Sequence, residues 1–544
     1  MTAHMTMYEF LKCEPREPDD TMIVYFGKKT KYGSFMGNID NLAHYLRKNS
    51  VRVGDNVAVC LPNIPHAAIA FYAVNKCGAV GNMIHPMISE YGLFNIIKKT
   101  KPKFIFLADI FYDKYKAVLS DTDITVIICR MAGYASALIK LGIAYKAMKE
   151  KTPRVRYGAR VVRFSSTVRR GGEVRITTGG RDVAAYLHSG GTTGESKTIV
   201  LTNYALNVIA INALTTFDFG HMRNEVAFMV LPLFHGYGLA INMHAYLSFG
   251  AKLVMVPKFA AKGAVRIIRR YGVTTITGVP TMYEKLLSAP SFKRLNCKKF
   301  RLLICGGDNL KDALRTAFDE QIASRGSKVK LVEGYGLTEV SSAATANTNF
   351  NYRAGSIGKP LNGVRVKIVD ENLNELPRGE EHYGEILISS QSLMEHYYDD
   401  PITTAEVVVA DENGVRWLKT GDCGYKDEDG YIFFKDRIKR MIIIAGYNVF
   451  PSEIENVVAL MPEINMCCAV EGKTKENKTL IKLFVVLNEG YKYNLTMENK
   501  IIQTCEQNLS KYAVPGKIIE KKSLPVTQVG KVNYRQVMQM EDEE

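Results

Sequence analysis

The stretch His188-Ser189-Gly190-Gly191-Thr192-Thr193-Gly194-Glu195-Ser196-Lys197 stands between two apolar runs, Ala184 to Leu187 and Thr198 to Leu201. The second run is β-branched and reads as a strand. A loop of Ser, Thr and Gly therefore joins two strands. Its glycines let backbone N–H groups converge on an anion, its hydroxyls add donors, and Lys197 supplies a point charge suited to phosphate. A Walker loop places Lys directly after Gly and opens a helix. Here Lys197 lies three places after Gly194 and a strand follows, which disfavours a P-loop NTPase. Read alone, the stretch is equally a flexible hairpin loop.

The 544 residues around this loop suggest about three to four domain-sized units. Hydrophobic residues are 47% and charged residues 23%, which excludes global disorder, a collagen-like repeat or a small disulfide scaffold. The longest apolar run, Val226 to Phe234, is broken by Pro232 and falls short of the roughly 18 residues a membrane span needs. Met1 to Phe10 lacks a basic start and an apolar stretch, so no signal peptide is expected. The acidic Met540 to Glu544 shows no lipidation or peroxisomal signal. No pair of the ten cysteines has zinc or redox spacing, which points to a reducing, cytoplasmic setting. The histidines include no His-Glu-x-x-His helix, so a zinc hydrolase has no support.

Upstream of the loop, helical and strand-like patterns alternate. Asn38 to Lys48 and Ala67 to Val74 read as helices, and Asp55 to Leu61, Lys103 to Leu107 and Ile124 to Cys129 as strands. That alternation predicts an α/β sheet. The segment from Lys140 to Arg175 differs: it carries eleven Lys and Arg against Glu150 and Glu173, more than half of the chain's formal charge of +16. Leu138, Leu141, Tyr145 and Met148 recur at helical spacing beside it. One reading is a basic amphipathic element making peripheral contact with an anionic membrane. The shortness of the apolar stripe favours the other, a solvated insertion whose helix packs on the main body. Few aromatic rings accompany the charge, so no nucleic-acid partner is expected.

The pattern changes again near Asp436. Gly384 to Ile388 and Tyr431 to Phe434 read as strands before it, and Met441 to Ile444 as a strand after it. Pro451 opens a helix in which Ser452 and Glu455 have capping-box spacing. Strand Leu480 to Leu487, helix Met497 to Leu509 and strand Gly516 to Ile519 follow. They make a compact unit of about 105 residues.

Further motifs stand in order along the chain: Pro232-Leu233-Phe234-His235-Gly236, Cys305-Gly306-Gly307-Asp308, Glu333-Gly334-Tyr335-Gly336-Leu337-Thr338-Glu339, Lys419-Thr420-Gly421-Asp422, Asp436-Arg437 with Lys439, Ala445-Gly446-Tyr447 running to Glu455, and Gly530-Lys531. Singly, His235 reads as a packed histidine, the glycine pairs as strand-end turns, and Lys439 and Lys531 as surface lysines. Glu339 offers a hard oxygen for Mg²⁺. Asp427 to Gly430 reads as a hairpin turn, since the remaining EF-hand positions are missing.

Taken together and in this order, the loop and these motifs resemble the adenylate-forming superfamily of acyl- and aryl-CoA synthetases, peptide-synthetase adenylation domains and beetle luciferases. The resemblance runs from about Tyr25 to Val537. It implies an α/β fold. A large N-terminal AMP-binding domain of stacked α/β sheets plus a distorted β-barrel would span residues 1–437. A small mobile α+β domain carrying the catalytic lysine would span 438–544. It implies that Ser189, Gly190, Gly191, Thr192, Thr193, Gly194 and Lys197 cradle the ATP phosphates, with Thr193 and Glu339 serving Mg²⁺. Gly307, Asp308, Gly334, Tyr335 and Gly336 would meet adenine and the acyl group, and Thr338 the α-phosphate. Asp422 and Arg437 would hold the ribose, Lys439 the hinge, and Gly446 the pantetheine tunnel of coenzyme A. Lys531 and His235 complete the implied catalytic set with Thr338 and Glu339. Pocket-lining Asp is absent near His235, which argues against an amino-acid substrate.

The implied activity is ATP-dependent ligation of a fatty or aryl carboxylic acid to coenzyme A through an acyl-adenylate. The alternatives are a ligase that loads the phosphopantetheine of a carrier protein and, from another class, a basic lipid-surface-binding protein. Two departures stand in the loop: Ser196 where Pro is common and Thr198 where Gly is common.

Overall fold

The computed structural model describes residues 3–149, 155–169, 171–189, 196–444, 447–474, 478–526 and 532–540. The described chain gathers into two compact units. The first contains Met1–Ser189, Ser196–Arg365 and Ser389–Leu418; the second contains Val366–Ile388 and Lys419–Glu544.

Two large sheets organise the first unit. One has seven strands in the spatial order Val161–Arg163, Thr125–Cys129, Phe104–Ala108, Asn56–Cys60, Val80–Met83, Val183–His188 and Thr198–Thr202. All neighbours are parallel except the last pair. Its central strands, such as Phe104–Ala108, are buried throughout, as strands covered on both faces must be. The other sheet has nine strands, and its middle is the parallel set Leu331–Tyr335, Leu302–Gly306, Thr275–Gly278, Val226–Met229 and Lys252–Met255. Antiparallel Thr345–Ala346 and Lys359–Pro360 close one edge.

Helices that follow strands of the two sheets pack on each other. Pro65–Lys76 and Asn203–Thr216 are apolar nearly all round and buried, as is the π-helical segment Tyr237–Ala245. A polar network stitches them. Tyr72 donates to His244 Nδ1 at 3.0 Å, His244 Nε2 donates to Asn207 at 2.9 Å, and Asn75 donates to Asn203 at 2.7 Å. Burial pushes the His244 imidazole down to about 3, so it stays neutral, and the two bonds need one donor and one acceptor on the ring.

A further sheet has five strands. Arg416–Lys426 pairs with Val408–Ala410 and then, further along, with Ile432–Arg437. The second unit also holds Ile464–Lys473 and Thr479–Leu487 as an antiparallel pair, with Lys517–Glu520 parallel alongside. Helices Pro451–Val458 and Leu495–Asn508 contribute Ile454, Val458, Ile501 and Cys505 to the core over that sheet. This is the small α+β arrangement expected.

Three sequence expectations change. The helix expected from Asn38 begins at Tyr32, because buried Phe35 and Met36 extend its apolar face. The capping box of Ser452 and Glu455 does not form. Pro451 already sits in the first turn behind Phe450, the Ser452 hydroxyl donates to Lys435 O, and Glu455 pairs with Arg440. The segment Ala137–Lys149 is helical, but it does not pack on the body: Leu138 is 82% exposed, Leu141 69%, Tyr145 65% and Met148 70%. Among the described residues no helix is long and apolar enough to cross a membrane. All ten cysteines are free thiols, and Cys13 is the one that is exposed.

Candidate active site

The glycine-rich loop rises from the antiparallel pair Val183–His188 and Thr198–Thr202, in which His188 faces Thr198. Its base is clasped three times. Ser189 N donates to Lys197 O at 2.9 Å, Lys197 N to Ser189 Oγ at 3.1 Å, and Ser196 Oγ to Ser189 O at 2.5 Å. The predicted Gly190, Gly191, Thr192, Thr193 and Gly194 lie outside the described residues. Beneath the clasp, His188 Nε2 donates to Asn82 Oδ1 at 2.6 Å and the Thr198 hydroxyl to His188 Nδ1 at 3.2 Å. The Asn82 amide nitrogen is committed to Thr100, so Oδ1 accepts and the tautomer follows. Desolvation pushes His188 down to about 4, which keeps Nδ1 free to accept. Thr198, noted as a departure in the sequence, is thus the hydroxyl that completes this anchor.

Lys197 points over a ring. Its Nζ lies 4.7 Å from the centre of Tyr397. The Tyr397 hydroxyl donates to Glu339 Oε1 at 2.8 Å, and Met394 N donates to Glu339 O at 2.7 Å. Burial, reinforced by the Glu339 charge, holds the Tyr397 phenol well above its ordinary value, so it remains a donor. The segment carrying Tyr397 runs beside strand Thr198–Thr202: Val200 N donates to His396 O, and Tyr398 N to Thr198 O. The phosphate-side lysine and the candidate metal carboxylate are therefore joined through one tyrosine. No sequence argument singled out Tyr397; the paired tyrosines Tyr397-Tyr398 before Asp399-Asp400-Pro401 were the available signal.

Glu339 and Thr338 share the tight turn Thr338–Val340, which ends at Ser341 with φ +65°. The Ser341 hydroxyl fixes that strained residue by donating to Ser392 O at 2.7 Å. Among the described residues no group of three or more His, Cys, Asp or Glu side chains could hold a metal ion. One carboxylate oxygen of Glu339 accepts from Tyr397, and among the described residues the other has no hydrogen-bond or ion-pair partner. A single carboxylate fits Mg²⁺, which keeps waters and substrate phosphate oxygens as its other ligands.

Beside this turn opens a small, predominantly apolar cleft, open in part to solvent. Gly307, Gly334, Tyr335 and Gly336 line one side, and Tyr237 and Ile241 belong to its wall. A methyl group on Gly336 would stand 1.9 Å from Ser342 O, so only glycine lets the two backbones pass here. Gly307 takes φ +80° at the end of strand Leu302–Gly306. The hydroxyls of Tyr237 and Ser342 are shielded from water and have no hydrogen-bond partner among the described residues. Such groups are costly unless a ligand supplies the partner. Glu333 accepts from Leu310 N at 3.2 Å, and desolvation pushes its carboxyl up to about 8. Asp308 is exposed at the same strand end. His235 lies two residues before Tyr237, half-buried beside the Phe234 ring. Burial and the neighbouring His85 push it down to about 4, so it is a neutral imidazole.

In the second unit, Asp422 lies opposite Arg437 in the strand pair, and the carboxylate is 3.3 Å from the guanidinium Nε. Asp422 is buried and Arg437 exposed. Lys439 follows in the exposed turn Ile438–Arg440. Next to it the half-buried Arg440 lies between Glu455, at 2.5 Å, and Asp436, at 3.8 Å. Burial works against its charge, but the two carboxylates outweigh burial and hold it protonated. The predicted Gly446 and Lys531 lie outside the described residues.

Comparison with known proteins agrees with these motifs. Residues 12–398 match the AMP-binding enzyme family, and residues 453–531 match the AMP-binding enzyme C-terminal domain. A long-chain-fatty-acid–CoA ligase of Bacillus subtilis (strain 168) is 29% identical over 539 residues, covering 97% of this chain and 93% of the relative. The enzyme of the same name from Escherichia coli O6:H1 is 28% identical over 536 residues, covering 96% and 92%. In fold, the anthranilate CoA ligase AuaEII, solved with anthranoyl-AMP, superposes with a TM-score of 0.84 at 20% identity over 99% of this chain and 98% of that one. The loop, the Gly-Tyr-Gly-Leu-Thr-Glu turn and the family match over most of the length lead to one assignment: the chain belongs to the AMP-binding enzyme family of the adenylate-forming superfamily and is an AMP-forming ligase.

Proposed function

We propose that this enzyme activates a fatty or aromatic carboxylic acid with ATP and transfers the acyl group to coenzyme A, releasing pyrophosphate and then AMP. The observation that supports this most is the union of two halves in one unit: an apolar cleft whose Tyr237 and Ser342 hydroxyls have no partner among the described residues, and the Lys197–Tyr397–Glu339 line beside it. The relatives' names as long-chain-fatty-acid–CoA ligases support the same substrate class.

A free carboxylate is a poor acyl donor because oxide would have to leave. In the first step its oxygen attacks the α-phosphorus of ATP in line, and pyrophosphate departs. Lys197 and the loop hydroxyls meet the phosphates, Thr338 meets the α-phosphate, and Lys531 approaches the charge that spreads in the transition state. Mg²⁺, held by Glu339 and Thr193, would neutralise phosphate charge. Tyr335 lies against adenine, Asp422 accepts from the ribose hydroxyls, and Arg437 adds donors there. Little covalent chemistry falls to the protein, so positioning dominates.

In the second step the thiol of coenzyme A attacks the acyl carbon and AMP leaves with the bonding pair. The region 438–544 acts as a small C-terminal domain turning at Lys439, which withdraws Lys531 and brings Gly446 to the thiol. Neutral His235 is assigned to the entry of the carboxylate and the thiol. The free cysteines support a cytoplasmic setting.

The test is pyrophosphate release across acids from short to long chain and aryl, with Mg²⁺, followed by acyl transfer to free coenzyme A or to a phosphopantetheine-loaded carrier protein. Release with long-chain or aryl acids and transfer to coenzyme A are expected. Transfer to the carrier alone would replace the acceptor, and no release with any acid would refute the proposal.

A further inference from the structure

We infer that the helix Ala137–Lys149 is an interfacial anchor that docks this protein on an anionic lipid bilayer. The helix has 13 residues and is about 20 Å long. Leu138, Leu141, Tyr145 and Met148 are spaced so that they share one face, and that face is turned to water. Ile139 and Ile143 are exposed as well, so the helix is not seated in a groove of its own chain. At its root Ser136 N donates to the carbonyl of Phe26, itself an exposed aromatic. Exposed apolar surface on this scale marks a place where a partner or a membrane covers it.

Charge selects the occupant. From Lys140 to Arg175 the chain has eleven basic and two acidic residues. Lys140 and Lys149 on the helix, and Arg156, Arg163, Arg169 and Arg175 after it, are exposed. Basic side chains next to a short apolar helix attract a negative surface, and the apolar stripe then enters the headgroup boundary. Tyr145 is suited to that boundary, apolar in its ring and polar at its tip. A bilayer requires no shape complementarity from a helix that stands alone. The inference does not depend on which acid the enzyme activates.

The experiment sediments the full-length protein with vesicles of phosphatidylcholine alone or with about 30 mol% phosphatidylserine, at about 0.05 M and about 0.5 M salt. Wild type is expected to pellet with the anionic vesicles at low salt and to be released at high salt. Leu141→Asp with Met148→Asp, and separately Arg169→Glu with Arg175→Glu, are expected to lower the partition coefficient by about tenfold or more, with unchanged melting temperature. If the Asp pair lowers the melting temperature, Leu141→Ser with Met148→Ser takes its place. Wild type remaining in the supernatant with anionic vesicles would overturn the inference. So would variants that pellet like wild type, equal binding to neutral vesicles, or a wild-type dimer that Leu141→Asp with Met148→Asp dissociates, since the occupant would then be a second copy.

Discussion

Lys197 and Tyr397, 200 positions apart in the chain, stand with Nζ 4.7 Å from the ring centre, and the far end of that ring donates to Glu339. A cation, an aromatic face and a carboxylate are thereby set in line. A hydrogen bond to a charged group contributes about 1.5–3 kcal/mol. Tyr397→Phe keeps the ring and loses that bond, so kcat/KM for acyl-adenylate formation is expected to fall about tenfold or more. Tyr397→Leu also loses the face under Lys197 and is expected to fall further. Pyrophosphate release measures both, and a fully active Tyr397→Phe would reduce the residue to a wall.

Gly336 passes Ser342 with no room for a side chain, because the obstacle is a backbone oxygen. Gly336→Ala must move the turn that carries Thr338 and Glu339. A displacement of about 1 Å at a reacting centre costs about 100-fold in rate, and a loss of that order is expected. Gly37→Ala is the control: the added methyl meets nothing within 4 Å, and full activity is expected.

Lys531→Ala is expected to abolish adenylation while largely sparing thioester formation from supplied acyl-adenylate. The two half-reactions are assayed separately. Equal loss in both would count against alternation between two arrangements of the small domain.

His66 and His244 are packed out of water, and burial pushes both imidazoles down to about 3. An unfolded histidine titrates near 6.5. The folded state therefore binds fewer protons, and the stabilisation is fully present above about pH 6.5 and is lost progressively as pH falls towards about 3. Melting temperature is expected to drop steadily across that window. His244→Gln, which takes up no proton there, is expected to make the slope shallower; an unchanged slope would contradict the assignment.

Arg440 and Lys439 are neighbours with opposite surroundings. Removing one partner of a fully buried charge pair costs about 3–5 kcal/mol; here Asp436 is buried while Arg440 and Glu455 are half-buried, so Arg440→Leu, which strands both carboxylates, is expected to lower the denaturant midpoint by less than that but measurably. Lys439 is exposed, and Lys439→Ala is expected to shift stability by no more than about 0.5 kcal/mol. Its effect is expected in turnover, at the thioester step.

Much of this architecture was readable because local chemistry and long-range role coincide. The strand that follows the glycine-rich loop is β-branched, and the Gly-Tyr-Gly-Leu-Thr-Glu run has to be a tight backbone turn whatever it binds. Tyr397 escaped because its importance comes from what lies across the fold, a lysine and a glutamate remote in sequence. His188 escaped for the same reason: its neighbours Asn82 and Thr198 meet it only once the sheet has formed. Ser452 and Glu455 misled because a proline and a nearby arginine outcompeted the cap. The helix at Ala137–Lys149 misled because apolar spacing usually means burial, and here it does not.

The thiol inventory has a practical use. Cys13 alone is open to solvent, and the other nine are covered wholly or in part. A maleimide dye offered briefly to the native enzyme should attach chiefly at that position. A unique fluorescent label near the amino end would then be obtained without removing a single native cysteine.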